Sequence, residues 1–332
     1  MEVMLQWGLD FIIFVQSFAS PPLTAFMLIV TMLGSPVAYL VLIPLVYWCV
    51  DEKKGLHLGI VVLASAWLNI TLKHSLSLPR LFSGTQEPSF GVINEYVIGG
   101  GFPSGHAQTS LVLFVFLALW IRKKWFWGIA AAICLLIAFS RIYLGMYFPT
   151  DILGGWIIGG LILFAYFKLA PLAEKHLERG GIRAYMLACA AASFIMIFNR
   201  PGEEPVIPAG LLLGIGAGYC LNKHYLGFES SVFFANFAEK SAEKRNYFIL
   251  VARFLPGIIL LLLILLALEQ LLPRFQHFEN YPLILFLAFG IPGVWITAGA
   301  PWLFTQLKLA KAPPLQASLA KAHLPAETEE KK

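Results

Sequence analysis

Runs of about twenty apolar residues recur along this chain, and they decide what it can fold into. A helix of roughly 20 apolar residues crosses a hydrocarbon core about 30 Å thick. Hydrophobic residues make up 58% of the chain and charged residues 13%, against about 25% charged in ordinary soluble domains. A two-domain soluble protein is therefore excluded. The runs predict spans at 22–49, 56–75, 105–121, 125–146, 148–171, 184–199, 205–222, 246–272 and 281–306. The fold class expected is all-α: a polytopic membrane bundle of about eight to nine transmembrane helices. Gly34-Ser35-Pro36 is expected to break the first span. Residues 1–20 are amphipathic and read as an interfacial helix.

The loops order the spans across the membrane. Lys53, Lys54, Arg122, Lys123, Lys124, Lys175, Arg179, Arg183, Lys223, Lys240, Lys244 and Arg245 fall on alternate loops. The intervening loops hold only Arg80, Arg200 and Arg274. The basic side is the cytoplasmic one by the positive-inside rule. A bacterial cytoplasmic membrane is the expected setting, with the opposite face periplasmic. Residues 307–332, rich in Lys, Ala, Pro and Glu, read as a disordered cytoplasmic tail. The four cysteines lie inside apolar runs without CxxC spacing, so neither a disulfide framework nor a metal site is indicated. The N-terminus has neither a basic n-region nor a small-residue cleavage site and does not read as a signal peptide. There is no nucleotide loop, haem motif or nucleic-acid patch.

Three short motifs interrupt the apolar text: Lys73-x6-Arg80, Pro103-Ser104-Gly105-His106, and Ser140-Arg141-x5-Tyr147-x3-Asp151. Each falls at a segment end on the non-cytoplasmic side. An ammonium and a planar guanidinium suit a phosphate dianion; the alternative is that Lys73 and Arg80 are cations snorkelling to the headgroups. Gly99-Gly100-Gly101 leads into a helix start, where Ser104 can cap and the amides of Ser104, Gly105 and His106 can face an anion. His106 is either an interfacial histidine or a group placed to protonate a departing alkoxide. Arg141 is costly near a bilayer unless paired, and Asp151 is a candidate structural partner. Tyr147 and Asp151 would share a face on a continuous helix, but Phe148-Pro149 favours a helix start near 150.

On these motifs the chain resembles the type 2 phosphatidic acid phosphatase superfamily, the lipid phosphate phosphatases related to vanadium haloperoxidases. The text around Tyr-Leu-Gly-x-x-x-Pro-Thr-Asp and Leu-Gly-Gly-Trp is similar to a bacterial branch related to sphingosine-phosphate and glucose-6-phosphate phosphatases. The resemblance covers roughly residues 30–165. It implies that Lys73, Arg80 and Arg141 bind phosphate, with Ser104 and Gly105 in support. It further implies that His106 is the acid for the leaving group and that Asp151 orients the nucleophile. A core at 22–171 carries these motifs, and the helices at 184–306 lie outside the resemblance, with no role assigned.

Two positions depart from the family. Leu81 stands where proline is usual after the arginine. Tyr147 stands where the family has its nucleophilic histidine. A neutral imidazole attacks phosphorus directly near pH 7, whereas an ordinary phenol has a pKa of about 10. Tyrosinate is nonetheless a competent covalent nucleophile. The leading expectation is thus a membrane phosphatase or phosphotransferase acting on a lipid phosphate or other phosphomonoester, impaired by Tyr147. The competing one is a lipid-phosphate binder or translocator without turnover. No cofactor, metal or nucleic acid is implied; membrane lipids are the other expected partners, and the oligomeric state is left open.

Overall fold

A computed structural model of the chain describes residues 2–76, 78, 100–198, 203–230 and 243–310. Every regular element among them is helical: α1 (Glu2–Gln16), α2 (Pro21–Met32), α3 (Pro36–Cys49), α4 (Glu52–Leu76), α5 (Gly105–Ile121), α6 (Lys124–Tyr143), α7 (Pro149–Phe198), α8 (Glu203–Leu221), α9 (Glu243–Leu271), α10 (Tyr281–Val294) and α11 (Ala300–Gln306). The all-α reading therefore stands. Short π-helical turns at Asn222–Leu226 and Trp295–Gly299 extend α8 and join α10 to α11. The chain is an integral, multi-pass membrane protein.

Six helices are long and apolar enough to cross a bilayer, or seven when α2 and α3, bent by 48°, count as one span. The bend falls at Gly34-Ser35-Pro36, as the sequence predicts. Two expected spans lie outside that count. The helix α5 has 17 residues, about 25 Å of rise, and is apolar but shorter than the helices counted as spans. The segments 148–171 and 184–199 both fall within α7, whose helical course is broken by a kink at Gly181, with φ of 63° and ψ of −159°. The expected break at 172–183 is narrower than a loop: the chain is helical up to Gly180, where Leu, Ala, Glu, Lys and Arg are strong helix formers, and it kinks at Gly181. Only glycine takes that positive φ without steric cost.

Contacts group the chain into two compact units, Met1–Ile43 with His57–Ala173, and Pro44–Leu56 with Glu174–Lys332. In the first unit, α4 to α7 run alternately up and down, and α2 and α1 lie against α6. Ser104 caps α5 through Ala107 N (3.4 Å), and Arg122 closes it in the left-handed conformation, its amide bonded to Ala118 O. The side chain of Gln16 reaches Tyr143 O at 3.0 Å, and Val15, Met27 and Tyr143 form a buried cluster that seats α1. At the other end His57 Nδ1 meets the Tyr166 hydroxyl, joining α4 to α7.

The second unit is built on glycine. A Cβ at Gly210 would strike Phe286 O, and one at Gly214 would strike Gly290 O, so the backbones of α8 and α10 touch. Small residues permit such approach where no water drives helices together. Several buried polar groups are matched within the unit. Glu52 accepts from Ser230 N (2.9 Å) and Oγ (2.6 Å), and Asn222 links the Phe228 amide to the Tyr47 hydroxyl.

This contact predicts that Gly214→Val destabilises the protein by about 1–3 kcal/mol, the usual range for overpacking. Gly160→Ala is the control, because a Cβ there meets nothing within 4 Å. Thermal melts of the detergent-solubilised protein should fall for the first and hold for the second.

Candidate active site

In a membrane helix a polar side chain is costly and turns inward. On α4 such residues recur every fourth position, Ser65, Asn69 and Lys73, so they share one face. The lower two meet α5. Asn69 Nδ2 donates to Gln108 Oε1 (2.9 Å) and Pro103 O (3.2 Å), while Gln108 Nε2 donates to Ser65 O (2.9 Å) and Oγ (3.0 Å). Ser65, Asn69 and Gln108 are all buried. This ladder holds the Pro103-Ser104-Gly105 corner, and a Cβ at Gly105 would meet Asn69 Oδ1 at 3.0 Å.

The same corner is held from above by α7. Ser104 N donates to Asp151 O at 3.0 Å. A Cβ at Gly154 would strike the Phe102 ring, one at Gly155 would lie 2.7 Å from Ser104 O, and one at Gly159 would lie 2.9 Å from Gln108 O. Backbone thus approaches backbone at Gly155 and Gly159, and the Phe102 ring packs on Gly154. The Ser104 amide is used in this joint, which corrects the expectation that it faces an anion. The amides of Gly105 and His106 belong to the first turn, where a helix offers no intrahelical acceptor.

Lys73, at the top of the α4 stripe, donates from Nζ to Tyr147 Oη at 3.0 Å and lies 5.4 Å from the ring centroid. Arg141, from the last turn of α6, lies 5.2 Å from the same centroid, and its NH1 donates to Thr31 Oγ1 at 3.0 Å. Tyr147 is 3% exposed. Two cations therefore meet one buried side chain, Lys73 at its hydroxyl and Arg141 at its ring, the latter a contact favoured by the ring quadrupole. Tyr147 sits in the turn before α7, which begins at Pro149, so it is not on a continuous helix with Asp151. Asp151 Oδ2 accepts from Phe148 N at 3.0 Å, reaching back as the acidic half of a capping box.

His106 is half-buried, one residue into α5. A Cβ at Gly34 would meet Ile137 Cγ2 at 2.7 Å and His106 Cδ2 at 3.2 Å. The α2–α3 break therefore lies against the His106 ring. The amino ends of α5 and α7 are adjacent, and each carries roughly half a positive charge. Together with Lys73 and Arg141 they make a strongly anion-attracting corner.

Of the residues singled out in the sequence, Lys73, Ser104, Gly105, His106, Arg141, Tyr147 and Asp151 come together at this corner of the first unit. Arg80 lies outside the described residues, as do the 83–99 loop and the tail beyond 310. Thr31, Gly34, Ser65, Asn69 and Gln108 were not among the predicted residues. The fourfold spacing of Ser65 and Asn69 below Lys73 is a signal that could have found those two. Among the described residues no three His, Cys, Asp or Glu side chains converge as metal ligands.

Residues 54–175 match the PAP2 superfamily model, and residues 206–312 match the model of the PAP2 superfamily phosphatase transmembrane extension. The second match covers most of the helices to which the sequence assigned no role. The chain is 36% identical over 80 residues to the lipid A 4'-phosphatase of Bacteroides thetaiotaomicron, a stretch that is 24% of this chain and 36% of that protein. It is 24% identical over 237 residues to the lipid phosphate phosphatase delta of Arabidopsis thaliana, covering 64% of this chain and 55% of the relative. The chain thus spans from about a third to just over half the length of these relatives. The crystal structure of a transmembrane PAP2-type phosphatidylglycerolphosphate phosphatase from Bacillus subtilis aligns over 52% of this chain and 88% of that one, at 25% identity and a TM-score of 0.43. With both of its matched segments falling in one superfamily and together taking in more than half of its length, the chain belongs to the PAP2 superfamily.

Proposed function

We propose that this membrane protein is a phosphatase of lipid phosphate esters whose turnover is limited by Tyr147. The observation that carries the reading is the bracketing of Tyr147 by Lys73 and Arg141 beside the amino end of α5. The names of the relatives, a lipid A 4'-phosphatase and a lipid phosphate phosphatase, support a lipid phosphate as substrate.

In the proposed mechanism Lys73, Arg80 and Arg141 hold the phosphoryl oxygens, with Gly105 and His106 amides completing the cradle and Ser104 fixing its shape. The ionised Tyr147 oxygen attacks phosphorus as the ester P–O bond breaks, and His106 gives its proton to the departing alkoxide. Neutral His106 then takes a proton from water, which attacks the phosphotyrosine and frees inorganic phosphate. Asp151 acts as a positioning residue for the Tyr147 turn through Phe148 N. Three fixed cations supply the charge neutralisation that a metal ion supplies elsewhere.

A second reading is a lipid-phosphate binder or translocator without turnover. Burial of a phenol at the expected nucleophile position favours it. Both readings orient the corner away from the cytoplasm, because the opposite helix ends carry Lys53, Lys54, Arg122, Lys123 and Lys124.

The decisive experiment is phosphate release from a lipid-phosphate panel. Wild type should be slow, Tyr147→His should raise kcat at least about tenfold because imidazole is largely neutral at pH 7, and Tyr147→Phe should abolish turnover while keeping vanadate binding. No turnover in either wild type or Tyr147→His would establish the binder. Fast turnover in both wild type and Tyr147→Phe would remove Tyr147 from the mechanism.

Arg141→Ala should weaken vanadate binding by about 1.5–3 kcal/mol, the worth of a charge-assisted contact. Arg141→Lys should recover only part, since the planar fork is lost. Unchanged affinity would make Arg141 purely structural.

Orientation is tested with a membrane-impermeant maleimide on intact cells, with wild type as background because its cysteines are buried or half-buried. Ser75→Cys should label and Lys123→Cys should not. The reverse pattern would invert the topology.

A further inference from the structure

The end of the first unit opposite the Tyr147 corner carries a second feature that the phosphatase reading does not use. A groove of about 720 Å³ opens between the carboxyl end of α5, the start of α6 and the middle of α7. Its volume falls within the roughly 300–1,000 Å³ of small-molecule sites. Ala118 and Leu163, both buried, form its floor. Trp127, Phe164 and Phe167 form its walls, and Phe167 is braced by stacking on Phe116 at 5.7 Å. On α7 the exposed residues Leu153, Ile157, Leu161 and Phe164 form one stripe leading to it, so a hydrocarbon chain can reach it sideways from the bilayer.

Two cations stand at the groove, Arg122 and Lys168. Among the described residues neither side chain makes a hydrogen bond or ion pair, and Lys168 rests over the Phe164 ring at 5.8 Å. Arg122 is held where it is by the left-handed turn that ends α5 (φ 55°), with its amide on Ala118 O. Lys123 completes the same short connection, and Lys124 with the exposed Trp125 and Trp127 forms the first turn of α6. Basic residues beside interfacial tryptophans mark the headgroup level of a membrane. A basic groove between spans on that side has the chemistry of an anionic lipid headgroup site.

We propose that this groove binds one anionic phospholipid, its headgroup phosphate between Arg122 and Lys168 and one acyl chain along Trp127, Phe164 and Phe167. The site lies about 25 Å from the Tyr147 corner, the length of α5, and the bound lipid is a ligand rather than a substrate. Charge complementarity selects its occupant: two cations that, among the described residues, have no hydrogen-bond or ion-pair partner, at headgroup depth, above an apolar floor.

The test is lipid retention by the full-length protein, purified in detergent, after exposure to equal amounts of phosphatidylglycerol and phosphatidylcholine, read by native mass spectrometry. Wild type should keep phosphatidylglycerol about tenfold or more over phosphatidylcholine, the fold-change of one charge-assisted contact. The double variant Arg122→Asn, Lys168→Gln should lose that preference, with asparagine chosen because it tolerates the left-handed turn. Lys168→Gln alone, at an exposed position outside any cap, should lose most of it and serves if the double variant misfolds. Lys123→Gln, Lys124→Gln should keep it, as should Arg141→Ala. Equal retention of the two lipids in wild type would reduce the groove to a site for any acyl chain. Equal loss in the Lys123, Lys124 variant would assign the preference to diffuse surface charge. Loss in Arg141→Ala would place the retained lipid at the Tyr147 corner. Each of these three results overturns the proposal.

Discussion

A bilayer offers no water to an unmatched polar group, and the hydrogen-bonded ladder of Ser65, Gln108 and Asn69 is how this fold meets that condition. Each donor named there has an acceptor on a neighbouring helix or loop. The ladder has a second effect. By ending on Pro103 O it fixes the corner from which α5 starts, so the direction of the first amides and of His106 follows from pairing deep in the membrane. A half-satisfied network would be costly and would leave that corner without a defined position.

The charge balance at the corner follows from the same economy. Lys73 and Arg141 enter from two helices whose ends would otherwise repel. Tyr147 offers its ring to Arg141, and its oxygen accepts from Lys73. Thr31 takes one arm of the guanidinium, which orients the fork. The phenol is therefore part of the support of the cations as well as the group nearest to them. Replacement by histidine changes nucleophile and support together, and a kcat measured beside vanadate affinity separates the two.

Much of this was legible in the sequence, and the rest was hidden for identifiable reasons. Spans are written in length and hydropathy, so the all-α class and the break at Gly34-Ser35-Pro36 could be read directly. The Lys73, His106 and Arg141 motifs fell at segment ends on one side because alternating helices return there. The helical stretch that runs to Gly180 was hidden because a charged stretch reads as a loop, although its residues are strong helix formers. Thr31 was hidden because a single threonine in an apolar run carries no period. The use of the Ser104 amide by Asp151 O was hidden because a backbone pairing between distant segments leaves no mark on either side chain.

The contact between α7 and the α5 corner is made by bare backbone at Gly155 and Gly159 against Ser104 O and Gln108 O. A joint between side chains has rotamers that absorb a shift of its parts, whereas at these two glycines the nearest atoms are fixed backbone oxygens. Any tilt or slide of α7 is passed to the Ser104-Gly105-His106 turn at nearly full size. The alignment of the corner is in that sense geared to the lie of a long helix in its lipid, and bilayer thickness becomes a variable of the site itself.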